Sequence, residues 1–239
     1  MQTAGAVSVG DLQRLEHGDW DGLPFSPVSI IEKEKPQLPD FLNHVAPEPP
    51  MPSPTIRPSD LGGAKALAGD LGLDEEAAKS RGTALHLSLE HLPEFPPADW
   101  PGIAKKLVPD PDAVGDILDE ATRVLMAPHL KKLFLPQNLA EVPITCELGD
   151  GALYGVIDRL IVEEDRVTAV DFKSNATVPK DPNTVPEGLL RQMGAYAFAL
   201  SQVFPSKKIE TAILWTRTAE LMALPHDLVS EAFERRNTP

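Results

Sequence analysis

The chain has 239 residues, of which 42% are hydrophobic and 24% are charged, so it can bury one sizeable core or form one domain with an extension. Its single cysteine, Cys146, excludes an intrachain disulfide framework and any zinc or iron–sulfur site built from several cysteines. The sequence has no apolar run of membrane-spanning length and no signal-peptide pattern, so we expect a cytoplasmic protein with no membrane contact.

The net charge of −14 and the pI of about 4.8 count against nucleic-acid binding, because proteins that bind phosphates usually carry basic surfaces. Two arguments weaken this objection. Carboxylates that hold a metal ion contribute negative charge until the cation binds. One domain of a larger assembly also need not hold its substrate alone.

Residues 1–57 are predicted to form a proline-rich extension or tether, and residues 58–239 the folded domain. The prolines concentrate between Pro36 and Pro58, where they exclude a continuous helix or a central strand. An extended linker and a segment that packs along a partner both fit this composition.

Helices dominate the prediction for the first half of the domain. A first helix is expected to begin at Ser59, which is a good N-cap residue. A second is predicted over residues 74–92, with Asp74 as its N-cap and apolar residues at helical spacing. Two more are expected near residues 103–107 and 113–126.

Strands replace helices from about Ala140 onward. The acidic turn at residues 163–165 predicts that the strands on either side of it form an antiparallel hairpin. The order of elements predicts an α/β fold with a central mixed sheet of about four or five strands and helices on both sides. The expected strands are 142–146, 153–162, 166–172, 209–215 and 221–224, and the expected helices are 186–203 and 228–235.

Two acids and a lysine in apolar strands are the residues that indicate chemistry. Strand alternation places Asp171 and Lys173 on one face, and it places Asp158 on the face of Val156 and Leu160. A carboxylate buried alone in such a strand is costly. A shared divalent cation removes that cost, and hard oxygen ligands favour Mg²⁺ or Mn²⁺.

A metal site of this kind suits phosphodiester hydrolysis, with Lys173 as a charge stabiliser or a proton acceptor. The structural alternative is a buried Asp–Lys salt bridge, with Asp158 paired to Arg159 or another base. The Asp-x-Lys spacing by itself favours that alternative. The sequence contains no phosphate-binding glycine motif, so nothing supports nucleotide binding within this segment.

The residues around the acids are more specific than the Asp-x-Lys spacing. They resemble the nuclease domains of the RecB-like branch of the PD-(D/E)XK enzymes, in particular the C-terminal nuclease domain of AddA-type helicase–nuclease subunits. The resemblance covers about residues 58–230. It is carried by Arg81-Gly-Thr-Ala-Leu-His86, Gly155-x-x-Asp158-Arg159, Asp171-Phe-Lys173-Ser-Asn175 and a following helix with Gln192-x-x-x-Tyr196.

The resemblance implies a restriction-endonuclease-like core and metal-dependent hydrolysis of DNA. It implies that Lys173 is the catalytic lysine and that Gln192 and Tyr196, on one helical face, flank the site. A proline of the family motif is replaced here by Ile157, a common departure in this branch. The implied ligands of Mg²⁺ or Mn²⁺ are His86, Asp158, Asp171 and the backbone carbonyl of Phe172.

Each implied role has a structural alternative. His86 shares a helical strip with Leu89 and could be a hydrogen-bonded core histidine. Gln192 and Tyr196 could serve only to cap and pack their helix.

The setting that the resemblance implies is the processing of double-strand DNA ends for recombinational repair. There an exonuclease domain of this kind receives single-stranded ends from a helicase motor upstream in the same polypeptide, and an AddB-like second subunit completes the complex. A catalytically silent docking domain, which binds a protein partner or DNA, is the main alternative, and a small-molecule enzyme is a third. Retention of both acids and of the lysine favours an active nuclease.

Overall fold

The computed structural model describes residues 39, 55–63, 75–149, 151–175 and 177–237. The chain divides into two compact units, Met1–Pro50 and Met51–Pro239, and the first contains a single described residue. Most of the predicted proline-rich extension therefore lies outside the described residues, as does the predicted N-cap residue Asp74.

A mixed sheet of six strands forms the centre of the second unit, which confirms the predicted fold class. Strand pairing follows the order β1-β3-β4-β5-β6, with β2 also paired to β3. The β1–β3 and β4–β5 pairs are parallel, and the others are antiparallel. The strands are β1 (Thr55–Ile56), β2 (Leu139–Leu148), β3 (Gly151–Val162), β4 (Arg166–Lys173), β5 (Lys208–Trp215) and β6 (Glu220–Leu224).

The predicted hairpin is formed by β3 and β4. The sheet has one strand more than the sequence predicted, because β1 is only two residues long and lies among the prolines that argued against a strand. Since Thr55–Ile56 pairs with Ala152 and Leu153, the sheet begins before residue 58.

Five α-helices of the described residues cover the two faces of the sheet, and no described helix is both long enough and apolar enough to cross a bilayer. They lie where the sequence predicted helices, with ends that differ by a few residues. They are α1 (Glu75–His91), α2 (Trp100–Leu107), α3 (Val114–Met126), α4 (Glu187–Val203) and α5 (His226–Glu234).

The helix predicted to begin at Ser59 is wrong over the described residues. A single 3-10 turn, Pro58–Asp60, stands in its place. Gly62 and Gly63 follow with φ angles of +73° and +86°, a left-handed conformation that does not continue a right-handed helix.

Two hydrophobic layers sandwich the sheet. One packs α1, α2 and α3 against the face that carries Val170 and Phe172. The other packs α4 and α5 against the opposite face, which carries Val167 and Ala169. Because side chains alternate along β4, its odd-numbered residues from 167 to 173 face α4. This alternation directs the acid and the lysine of the Asp-x-Lys motif toward one helix.

Helices α4 and α5 pack in direct backbone contact at Gly194. A Cβ added at Gly194 would lie 2.2 Å from the backbone oxygen of Val229 and 2.6 Å from the Cβ of Phe233. Both contacts are far shorter than atoms allow, so the helix pair requires glycine at this position.

We predict that Gly194→Ala lowers the free energy of unfolding by about 1–3 kcal/mol, because the added methyl group forces the helices apart. Gly115→Ala in α3 is the matched control, since an added Cβ there meets nothing within 4 Å and alanine favours a helix. Urea denaturation of both variants measures the difference. Equal stability of the two variants would contradict the close packing of α4 on α5.

Candidate active site

Strands β3 and β4 separate at the two acids that the sequence singled out. Their ladder runs from the Val162–Val167 pair to the Arg159–Val170 pair and ends there. The next residue is Asp158 on β3 and Asp171 on β4. Beyond this point β3 remains paired to β2 and β4 remains paired to β5, so the acids lie where a gap opens between two supported strands.

The Asp158 carboxylate reaches into this gap. Its Oδ2 accepts a hydrogen bond of 2.5 Å from the backbone N–H of Phe172, and its Oδ1 lies 3.4 Å from His86 Nδ1. The regular alternation predicted for β3 is interrupted here, because Ile157 and Leu160, three residues apart, pack in the same hydrophobic layer. Asp158 therefore does not simply share the face of Leu160, as the sequence predicted, but joins the two strands.

The Asp171 carboxylate is held from two sides. Its Oδ2 forms an ion pair with Lys173 Nζ, and its Oδ1 accepts a hydrogen bond of 2.7 Å from Gln192 Nε2. Gln192 Nε2 also lies 3.3 Å from the Tyr196 hydroxyl, which donates to the backbone oxygen of Val156 at 2.6 Å. Gln192 and Tyr196 thus face the acids from α4, and they connect this helix to both β3 and β4.

Glu141 joins the site from β2, and the sequence analysis missed it. It lies across from Asp158, between the Ala140–Arg159 and Val142–Ile157 pairs, and its φ angle is +47°. The predicted strand began one residue later, at Val142. An acid next to that strand was the available signal, but the unusual backbone angle could not be read from the sequence.

One potential ligand atom from each of His86, Glu141 and Asp158 lies within 4.8 Å of the other two. Asp171 is not a member of this set, and it is engaged instead by Lys173 and Gln192. A cavity of about 350 Å³ opens beside His86 and Glu141 and gives the site access to solvent.

Burial disfavours the charged forms of two carboxylates in this site. Burial raises the pKa of Asp171 above its usual value; the Lys173 ammonium opposes this rise and Asp158 adds to it. Burial and the nearby Asp158 also raise the pKa of Glu141. Burial of these carboxylates disfavours their charged forms, and a divalent cation would offset that cost. The carboxylate and imidazole donors therefore fit Mg²⁺ or Mn²⁺.

The Lys173 side chain is about one-fifth exposed, and its ammonium is paired with Asp171. Burial favours the neutral amine, but Asp171 and Asp158 outweigh it and hold the pKa of Lys173 above its usual value. Lys173 is therefore a cation at neutral pH.

The sequence also matches a model of a known protein family. The model described as the PD-(D/E)XK nuclease superfamily matches residues 63–225, which is more than half of the sequence. The chain therefore belongs to the PD-(D/E)XK nuclease superfamily, whose members use divalent metal ions.

Two solved structures are similar at low identity. A candidate exonuclease from Eubacterium rectale is 14% identical, with a TM-score of 0.48, over 70% of this chain and 66% of its own length. The protein SSO0001 is 16% identical, with a TM-score of 0.34, over 84% of this chain and 82% of its own. The family assignment rests on the sequence match, since both TM-scores lie below 0.5. No curated protein matches this chain.

We predict that Mn²⁺ affinity rises as the pH is raised from 6 to 8. Burial opposes protonation of His86, but its hydrogen bond to Asp158 and the nearby Asp171 hold its pKa above the usual value of about 6.5. A metal binds the neutral imidazole, so a proton competes with Mn²⁺ in this range and is released on binding. Calorimetric titration at several pH values measures the slope.

His86→Ala should bind Mn²⁺ more weakly and with a flatter pH dependence. His91→Ala, on the same helix and outside the group of potential ligands, is the matched control and should behave as the unsubstituted chain does. An unchanged slope in His86→Ala would contradict a role for this imidazole in metal binding.

We also predict that Asp171→Asn keeps its melting temperature in EDTA to within about 4 °C. The raised pKa of Asp171 means that its charged form opposes folding at neutral pH, and asparagine removes this charge while Lys173 stays near Asp158. The exposed Asp165→Asn is the control. A much larger loss in Asp171→Asn would show that the Asp171–Lys173 ion pair stabilises the fold.

Proposed function

We propose that this chain is a metal-dependent deoxyribonuclease. It would hydrolyse phosphodiester bonds in a site formed by Asp158, Asp171 and Lys173. The observation that carries the proposal is the separation of β3 from β4, which opens a gap at two buried acids with a lysine beside them. Membership of the nuclease superfamily supports the reaction class. The proposal extends to an exonuclease that acts on single-stranded DNA ends.

Asp158, Asp171, His86 and the backbone carbonyl of Phe172 would hold the cation, and Glu141 is a further candidate ligand. A bound Mg²⁺ or Mn²⁺ supplies a more acidic water and positive charge against the phosphate. The chain's own residues position that charge, because the Phe172 N–H fixes Asp158 and Gln192 fixes Asp171.

Lys173 would stabilise negative charge on the phosphate or accept a proton, because its ion pair with Asp171 holds its amine beside the acids. Burial raises the pKa of the Tyr196 hydroxyl well above its usual value. This hydroxyl accepts a hydrogen bond from Gln192 Nε2 and donates one to the backbone oxygen of Val156. Gln192 and Tyr196 are thus positioning residues in this proposal.

The finer assignment rests on the motifs around the site. The Asp171-Phe-Lys173-Ser-Asn175 segment and the Gln192-x-x-x-Tyr196 helix support a place among AddA-type helicase–nuclease subunits. We include in the proposal a helicase motor upstream in the same polypeptide, an AddB-like second subunit and a role in recombinational repair of double-strand ends.

A catalytically silent docking domain is the second candidate, and the net charge of −14 is the observation that favours it. Its partner would be a protein or a DNA segment held outside the metal site. The two candidates differ in whether the acids bind a cation and whether the chain cuts DNA.

Cleavage of end-labelled single-stranded DNA tests the proposal directly. We predict cutting in Mg²⁺ or Mn²⁺ and none in EDTA, with a loss of at least about 100-fold in Asp171→Ala and in Lys173→Ala. Asp165→Ala and Lys208→Ala make the same changes of charge at the opposite end of the sheet, and they should retain activity. An unsubstituted chain that neither cuts DNA nor binds Mn²⁺ would favour the docking domain.

A further inference from the structure

Two exposed arginines lie beside the catalytic edge of the sheet in a strongly acidic chain. Arg217 Nε donates to the backbone oxygen of Ser174, the residue after Lys173, at 3.0 Å. Arg123, on α3, donates from Nη1 to the backbone oxygen of Arg217, also at 3.0 Å. Arg217 thus contacts the residue that follows β4, and Arg123 contacts the backbone of Arg217.

A buried network fixes the backbone that carries Arg217. The carboxylate of Glu120, which is 3% exposed, accepts hydrogen bonds from Arg81 Nη2 at 2.6 Å and from the Thr216 hydroxyl at 2.5 Å. The backbone N–H of Thr216 donates to the Lys173 oxygen at 3.0 Å. Glu120 thus connects α3, on which it lies, to Arg81 on α1 and to Thr216. Thr216 in turn contacts the Lys173 backbone and precedes Arg217 in the chain.

Arg81, rather than Arg217, is the main partner of the two carboxylates nearest to this arginine pair. Arg81 is the partner of both Glu120 and the exposed Asp116, at 2.6 and 2.7 Å. The pKa of Asp116 is lowered chiefly by its hydrogen bond with Arg81 and only secondarily by Arg217 and Arg123. The carboxylates are thus matched mainly to Arg81, and Arg217 remains available to an external anion.

We propose that Arg217, supported by Arg123, binds the phosphate that neighbours the scissile phosphate of a DNA strand. This inference rests on the proposed nuclease function and adds a substrate-binding residue to it. The Nε of Arg217 is already used by the Ser174 carbonyl, so the fork of its Nη groups is the part that binds phosphate oxygens. Glu120 and Thr216 act through Arg217 and are positioning residues.

The net charge of −14 makes such a local cation necessary, because the chain as a whole repels a polyanion. The Arg217 guanidinium, held by its hydrogen bond to the Ser174 backbone, places a positive charge at the end of the strand that carries Lys173.

Binding of a fluorescent single-stranded oligonucleotide in EDTA, where no cutting occurs, tests the inference through fluorescence anisotropy. We expect Arg217→Ala to bind about tenfold more weakly. The slope of log affinity against log salt should fall by roughly 0.7, the value for one lost phosphate contact on a single strand. Arg217→Lys keeps the charge but lacks the fork, so it should keep most of the salt slope.

Arg166→Ala is the matched control, because Arg166 begins the strand that ends at Lys173 and its removal changes the net charge equally. Thermal melting of both variants checks that they fold. Equal weakening by Arg166→Ala and Arg217→Ala would overturn the inference, since net charge would then explain the loss.

Unchanged DNA binding by Arg217→Ala, with an unsubstituted chain that binds and cuts DNA, would overturn the inference and leave the proposed function intact. An unsubstituted chain that neither binds nor cuts DNA would overturn both. The two failures are therefore distinguishable in one set of measurements.

Discussion

The hydrogen bond from the Phe172 backbone N–H to the Asp158 carboxylate is the interaction on which the site depends. The ladder between β3 and β4 ends at the Arg159–Val170 pair, before it reaches Phe172. A buried Phe172 N–H without a partner would be costly. The Asp158 side chain replaces the missing acceptor. The strands can therefore separate without leaving the Phe172 N–H unpaired. The same hydrogen bond fixes the Asp158 carboxylate inside the gap that the separation creates.

The other polar residues of the site are arranged around the two carboxylates. Burial raises the pKa of Asp171, and Lys173 and Gln192 hold this carboxylate from the α4 side while His86 approaches Asp158 from α1. The site thus brings together carboxylates and an imidazole that a divalent cation could bind. The chain as a whole is also acidic, and Arg217 places a positive charge beside the backbone of Ser174 at the end of β4.

The sequence predicted most of the fold because the helices and long strands have clear periodicity and the β3–β4 turn is strongly polar. It also singled out both acids and Lys173, since charged residues in apolar strands are conspicuous. Other features depend on tertiary contacts that no local pattern reveals. The two-residue strand β1 is hidden among prolines, and Glu141 enters the site through a positive φ angle. The buried Glu120–Thr216 contact joins residues 96 positions apart.

A crystal structure grown with Mn²⁺, with the ion located by its anomalous scattering, tests the central claim most directly. The account predicts at least one ion in the gap between β3 and β4, bound by carboxylate oxygens of both Asp158 and Asp171 at about 2.0–2.2 Å. A crystal saturated with Mn²⁺ in which the gap holds no ion, with Asp171 still paired only to Lys173 and Gln192, would contradict it.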